Sequence, residues 1–282
     1  MVNFNGDLLP DSSHFLNHKN RGLQFGDALS ERIRYTGRTL LFWEEHYFRL
    51  MASMRQLRME IPMEFTLEHL EEEILKTIEA SGRAGDPNEI SVTVFRAEGT
   101  GLLPDTLLVS FIIDVAPLSK AEYTLKTPGL KADLFKDYYV QADGLSRLPH
   151  NSKLPLVLAS IFARENGYGT CLILNHRKEI ALGLHGNLFY RKGTEIKTPP
   201  LSNGCPDGIL RKFLLKQSWE NTPYQLTEAD ISPFELQQAD ELFMTDISTG
   251  ITAIGQYRKA QYTLEAALFT SKMINEFVRS AD

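Results

Sequence analysis

Apolar side chains recur with a helical period in two stretches of the first third of the chain. Over residues 44–58 (EEHYFRLMASMRQLR), Tyr47, Leu50, Met51, Met54 and Leu57 share one face opposite a charged one, which predicts a core-facing helix. Residues 67–81 repeat the pattern through Leu67, Leu70, Ile74 and Ile78, with Thr66 placed to cap the start and Gly82 to close the end. Glu71, Glu72 and Glu73 then read as a solvated face and not as a metal site. Two β-branched runs follow, SVTVFRA at 91–97 and TLLVSFIID at 106–114, separated by the turn-rich EGTGLLPD, and they predict a hairpin or neighbouring strands.

Periodicity fades over VAPLSKAEYTLKTPGLKAD, where two prolines interrupt the pattern, so a connection between domains is expected near 115–122. The expected division is a small N-terminal α/β domain over 1–118 and a larger C-terminal domain over 119–282. The second domain opens with an apolar helix over about 153–166, read from Leu154, Leu158, Ile161 and Phe162. It continues into the strand CLILN and a charged turn at HRKE. Strands are predicted at 186–192 and 241–247, and helices at about 208–219 and 260–279. Strands and helices alternate with no repeat of 20 to 50 residues, which excludes a solenoid and gives a mixed α and β class.

Composition narrows the function classes. With 282 residues and 43% apolar content the chain can bury a sizeable core. A net charge of -6, from 30 basic and 36 acidic side chains, gives no overall attraction to nucleic acid or anionic membrane, so neither is expected as a partner. Two cysteines, Cys171 and Cys205, make no disulfide framework, carry no CxxC partner for a metal, and point to the reducing cytoplasm. The N-terminus lacks a basic segment followed by an apolar one, and no run of about 18 apolar residues occurs, so secretion and membrane spanning are not expected.

Five segments taken in order resemble the class IV aminotransferases, the fold type IV pyridoxal-phosphate (PLP) enzymes that include branched-chain and D-amino-acid aminotransferases and aminodeoxychorismate lyase. They are FGDALSERIR at 25–34, EEHYFRL at 44–50, LASIFARENGYGTCLILN at 158–175, GNLFYRKGTEIKTPPLSNGCPDGILR at 186–211 and ADELFMTDISTGI at 239–251. The resemblance runs from Arg21 to Tyr262. It implies an α/β fold with a small N-terminal lobe and a larger barrel-like lobe clasping PLP, and a homodimer.

The resemblance also says where the chemistry should lie. Such a site needs a lysine for the imine, a carboxylate for the pyridinium nitrogen, donors for the phosphate and an asparagine-bearing strand. Arg49 matches the phosphate-binding arginine, Asn187 the strand asparagine, and Gly208, Ile209 and Leu210 the stretch whose backbone N–H groups face the phosphate. Leu210 stands where a hydroxyl residue commonly precedes the arginine; Ser248 and Thr249 match a further phosphate-binding turn. A gap-free alignment puts Pro149 at the imine lysine and Leu182 at the pyridinium glutamate, with Glu179 three residues early and therefore on the opposite strand face.

Two readings follow. In the first, the chain is a non-transaminating pseudoenzyme that keeps part of a phosphate cup for PLP, for another phosphorylated ligand, or for none. In the second, it is an active aminotransferase or aminodeoxychorismate lyase in which Lys153, about one helical turn from Pro149, forms the imine. Hydrolytic chemistry around His150, Asn151 and Ser152 or at His185 lacks a nucleophile-elbow motif.

Overall fold

The computed structural model describes residues 1–281. The chain forms two compact units: Met1–Glu122 with Pro149–Ser152 and the chain from Val278, and Tyr123–Leu148 with Lys153–Phe277.

In the first unit the elements run β1 (Val2–Phe4), β2 (Asp7–Leu9), α1 (Arg21–Phe25), β3 (Ala28–Tyr35), α2 (Trp43–Gln56), α3 (Leu67–Ala80), β4 (Asn88–Arg96) and β5 (Val109–Pro117). The strands make one antiparallel sheet in the order β2-β1-β5-β4-β3. The two β-branched runs are indeed hairpin partners, Val92 opposite Ile113. Both predicted helices form. Leu50, Met51 and Met54 of α2 and Leu70, Ile74 and Ile78 of α3 are buried, and the Thr66 side chain accepts from His69 N as an N-cap. One expectation fails here. Glu73 is buried, because its Oε2 accepts from Asn3 Nδ2 at 2.6 Å and its Oε1 pairs with Lys76 at 3.2 Å. Two donors offset the cost of removing that carboxylate from water.

The second unit contains β6 (Leu130–Val140), α4 (Leu154–Glu165), β7 (Thr170–Asn175), β8 (Ile180–Gly183), β9 (Asn187–Lys192), β10 (Glu195–Thr198), α5 (Ile209–Lys216), β11 (Gln225–Glu228), β12 (Glu241–Asp246), β13 (Gly250–Tyr257), β14 (Ala260–Gln261) and most of α6 (Glu265–Ala281). Its curled nine-stranded sheet runs β11-β10-β9-β12-β13-β6-β7-β8, with β14 on β13. Phe189 and Phe243 stack face to face at 5.0 Å between β9 and β12. The predicted helix over 153–166 is present: Ala159 and Ala163 are buried, Leu158 and Phe162 pack against the same cluster, and Leu154, Val157 and Ile161 are exposed. The small side chains of Ala159 and Ala163 let α4 lie close on β6 and β7, with Leu158 and Phe162 filling the flanks. The last helix begins at Glu265 and not at 260, because residues 260–261 pair with β13.

Candidate functional site

In the first unit the site begins with β3 and α2. Glu31 on β3 is sealed from solvent, and its carboxylate receives two side chains of α2 spaced three residues apart, His46 and Arg49. Arg49 Nε donates to Glu31 Oε1 at 2.8 Å and Nη2 to Oε2 at 2.6 Å, a bidentate fork. His46 Nδ1 lies 2.7 Å from the same Oε2. Burial pushes the Glu31 pKa up, but the Arg49 charge and the hydrogen bonds from His46 and Arg49 outweigh it and hold the group at about 2. Burial lowers the His46 pKa, so the imidazole is neutral and its Nδ1 carries the proton toward the carboxylate. Arg49, expected on a phosphate, is thus already engaged with Glu31. Periodicity alone missed both partners, because a strand glutamate and a helix histidine read as surface residues.

The segment Pro149–Ser152 lies along the free edge of β3. Ser30 N donates to Pro149 O at 2.8 Å and Asn151 N to Ala28 O at 3.0 Å, with Leu29 opposite His150. Directly opposed residues share a face, so Pro149 and Asn151 lie on the other face from Leu29, the one carrying the Ser30–Thr93 hydroxyl pair at 2.8 Å. His150 Nδ1 accepts from Ser152 N at 3.1 Å, so this ring nitrogen serves the local turn.

In the second unit the start of α5 is built for close approach. Gly208 is its N-cap and offers no side chain to the first-turn N–H groups of Ile209 and Leu210. A Cβ at Gly208 would lie 2.1 Å from Asn187 Oδ1, and Asn187 Nδ2 donates to Pro206 O at 2.9 Å. Asn187 therefore fixes the entry to the helix. Thr245 sits directly across from Asn187, and its buried Oγ1 has no hydrogen-bond partner among the described residues. The neighbouring turn is set by Ser248 N donating to Asp246 Oδ1 at 2.9 Å and by Gly250, at φ +73, beneath the Tyr123 ring. Ser248 is half-buried and Thr249 exposed. Leu210 is buried and carries no hydroxyl.

Leu182 opposes Ile173 on β7 and belongs to an apolar cluster with Phe135, Ala159, Ala163 and Ala181. Glu179 is held in the β7–β8 turn by Asn175 Nδ2 at 3.0 Å and Arg177 Nε at 2.9 Å. Lys153 is exposed at the start of α4. Burial pushes the Cys171 thiol up to about 12 and the Cys205 thiol up to about 11, so neither supplies a thiolate.

Residues 28–257 match the family described as Amino-transferase class IV. The chain belongs to the class IV aminotransferases. It is similar to a putative branched-chain-amino-acid aminotransferase of Methanocaldococcus jannaschii, 24% identical with 99% of this chain and 92% of the relative covered. A D-alanine aminotransferase of Bacillus licheniformis is 25% identical over 90% of this chain and 87% of its own. The fold matches a branched-chain aminotransferase of Thermoproteus uzoniensis with TM-score 0.89 and 22% identity, covering 100% of this chain and 95% of that one. A putative 4-amino-4-deoxychorismate lyase of Legionella pneumophila matches with TM-score 0.83 and 18% identity, over 94% and 96%.

Class IV aminotransferases work with PLP. When bound, the cofactor supplies an electron sink to an amine-bearing substrate. The phosphate end of such a group fits features described above: N–H groups at the start of α5, a backbone stripped of Cβ at Gly208, and the unpartnered Thr245 hydroxyl. Residue 149 has no amine, and residue 182 is an alkyl side chain packed among alkyl and aromatic neighbours. Among the described residues no cluster of His, Cys, Asp and Glu could hold a metal, and no helix is long and apolar enough to cross a membrane.

Proposed function

We propose that this class IV aminotransferase chain has lost covalent PLP chemistry and binds a phosphorylated small molecule non-covalently, as a homodimer in a reducing cytoplasm. The observation that carries the reading is the packing of Leu182. A pyridinium carboxylate cannot be regained there without burying a charge in an apolar cluster, at a cost on the order of several kcal/mol. Pro149 supports it independently, since its carbonyl serves the β3 edge and its ring nitrogen has no proton to give. The exposure of Lys153 argues against a displaced imine, because an imine-forming lysine works from a desolvated position. In the second unit the retained phosphate donors are the N–H groups of Ile209 and Leu210 and the turn at Ser248 and Thr249, with Asn187 and Gly208 shaping the cup; in the first unit Arg49 is, taken by itself, the candidate phosphate donor. The exposed apolar stripe Leu154, Val157 and Ile161 supports a subunit interface.

The test is absorbance with added PLP before and after borohydride. Expected is reversible binding that inorganic phosphate competes away, with no mass added to the chain after reduction. A reduced adduct mapped to Lys153 would replace this reading with that of an active enzyme. Failure of any phosphorylated pyridine to bind would remove the cup.

A further inference from the structure

Between β3 and α2 lies a buried group that the proposed ligand site does not touch. His46 is fully sealed, and its Nε2 finds no hydrogen-bond partner among the described residues. A substrate atom cannot reach it, so it is not an acid or a base for chemistry. What it does contact is Glu31 Oε2, the oxygen that also receives Arg49 Nη2. The carboxylate therefore has three donors: one from His46, fixed by a planar ring on a buried helix turn, and two from Arg49. Without the imidazole, the carboxylate could swing about its terminal bond and carry the guanidinium with it.

Burying a carboxylate and an imidazole beneath a partly exposed guanidinium is an expensive way to dock a helix on a strand. Apolar side chains of similar volume commonly do the same at equal or lower cost. Charges kept in such a place point to a requirement for direction, which a bidentate fork supplies and dispersion contacts do not.

We propose that His46 is a positioning residue: its Nδ1–H locks the Glu31 carboxylate, and the locked carboxylate aims the Arg49 guanidinium at the phosphate of the ligand. This rests on the reading of Arg49 as a phosphate donor. Asparagine at 46 puts an amide N–H near the position of Nδ1 and should preserve the lock. Glutamine reaches toward the position of Nε2 and should not, and leucine keeps only volume.

The experiment uses the full chain and pyridoxine 5′-phosphate, whose alcohol cannot form an imine, with affinity read by calorimetry. The NMR signal of Arg49 Nε–H, assigned by its loss in Arg49→Ala, is read alongside. Expected is a loss of about tenfold in affinity for His46→Leu and His46→Gln, with His46→Asn within about threefold of the parent. The Nε–H signal should stay in place in His46→Asn and move or broaden in the other two. Equal affinity and an unmoved signal in His46→Leu would overturn the inference, as would His46→Asn behaving like His46→Leu. If Arg49→Ala binds the probe as the parent does, the phosphate reading of Arg49 fails, and the Nε–H signal alone then decides whether His46 holds the guanidinium. Should His46→Leu not fold, the Asn and Gln variants carry the comparison.

Discussion

Glu31 and His46 make the acid stability of the first unit a two-stage property. His46 has its pKa lowered from 6.5 by burial, with Glu31 opposing and Arg49 assisting, so the folded chain holds it neutral where the unfolded chain begins to bind a proton. Its contribution is present above pH 6.5 and is lost as pH falls below that value. Glu31 is lowered from 4.5 to about 2, so its contribution is present above pH 4.5 and is lost as pH falls toward 2. Denaturant midpoints between pH 8 and pH 5 should therefore fall for the parent, and fall less for His46→Asn, which has nothing to titrate. Parallel curves would show that the buried ring contributes nothing to the pH dependence. Neither partner was legible in the sequence as such. The helical period correctly marked Leu50, Met51 and Met54 as core but could not say that His46, beside them, faces a strand carboxylate fifteen residues earlier. Glu73 misled for the same reason, since the partner that draws it inward, Asn3, is seventy residues away.

At the scale of elements, helices with one dominant apolar stripe were legible, and α2 and α3 stand within two residues of their predicted bounds. Strands were legible where β-branched residues ran together. β6 was not, because Lys136 and Asp137 interrupt its apolar run where its pairing with β7 shifts register between Phe135 and Val140. Alpha-4 was found without an orientation, since a helix apolar on most sides has no pattern to say which face is inward: Leu158 and Phe162 pack on the core, and Leu154 and Ile161 face outward. The start of α5 was legible as a glycine-opened helix, yet the reason for the glycine lies across the sheet. Gly208 has φ -70, which any residue tolerates, so the constraint is the side chain of Asn187 and not the backbone. Gly208→Ala should cost about 1–3 kcal/mol in the parent, as overpacking does. On an Asn187→Ala background the same change should cost about 1 kcal/mol or less, measured as a double-mutant cycle by urea unfolding. Additive costs would mean that Asn187 does not set the approach to α5.

For the whole molecule, a second copy is the remaining element of the proposed function. Leu154, Val157 and Ile161 are 69%, 49% and 37% exposed on successive turns of one helix, and monomers seldom leave such a stripe in water. Isolated surface leucines would need no explanation, but three on one helical face of an otherwise apolar helix do. Closed two-fold association is the commonest way such a patch is covered, and it buries the same surface on both subunits. If folding and association are linked, the melting temperature should rise with protein concentration, because a partner that binds the folded state stabilises it by mass action. Light scattering should then give twice the chain mass of 32.0 kDa at micromolar concentration. A single-chain mass with a melting temperature independent of concentration would sink the homodimer, and the α4 stripe would then require a different partner.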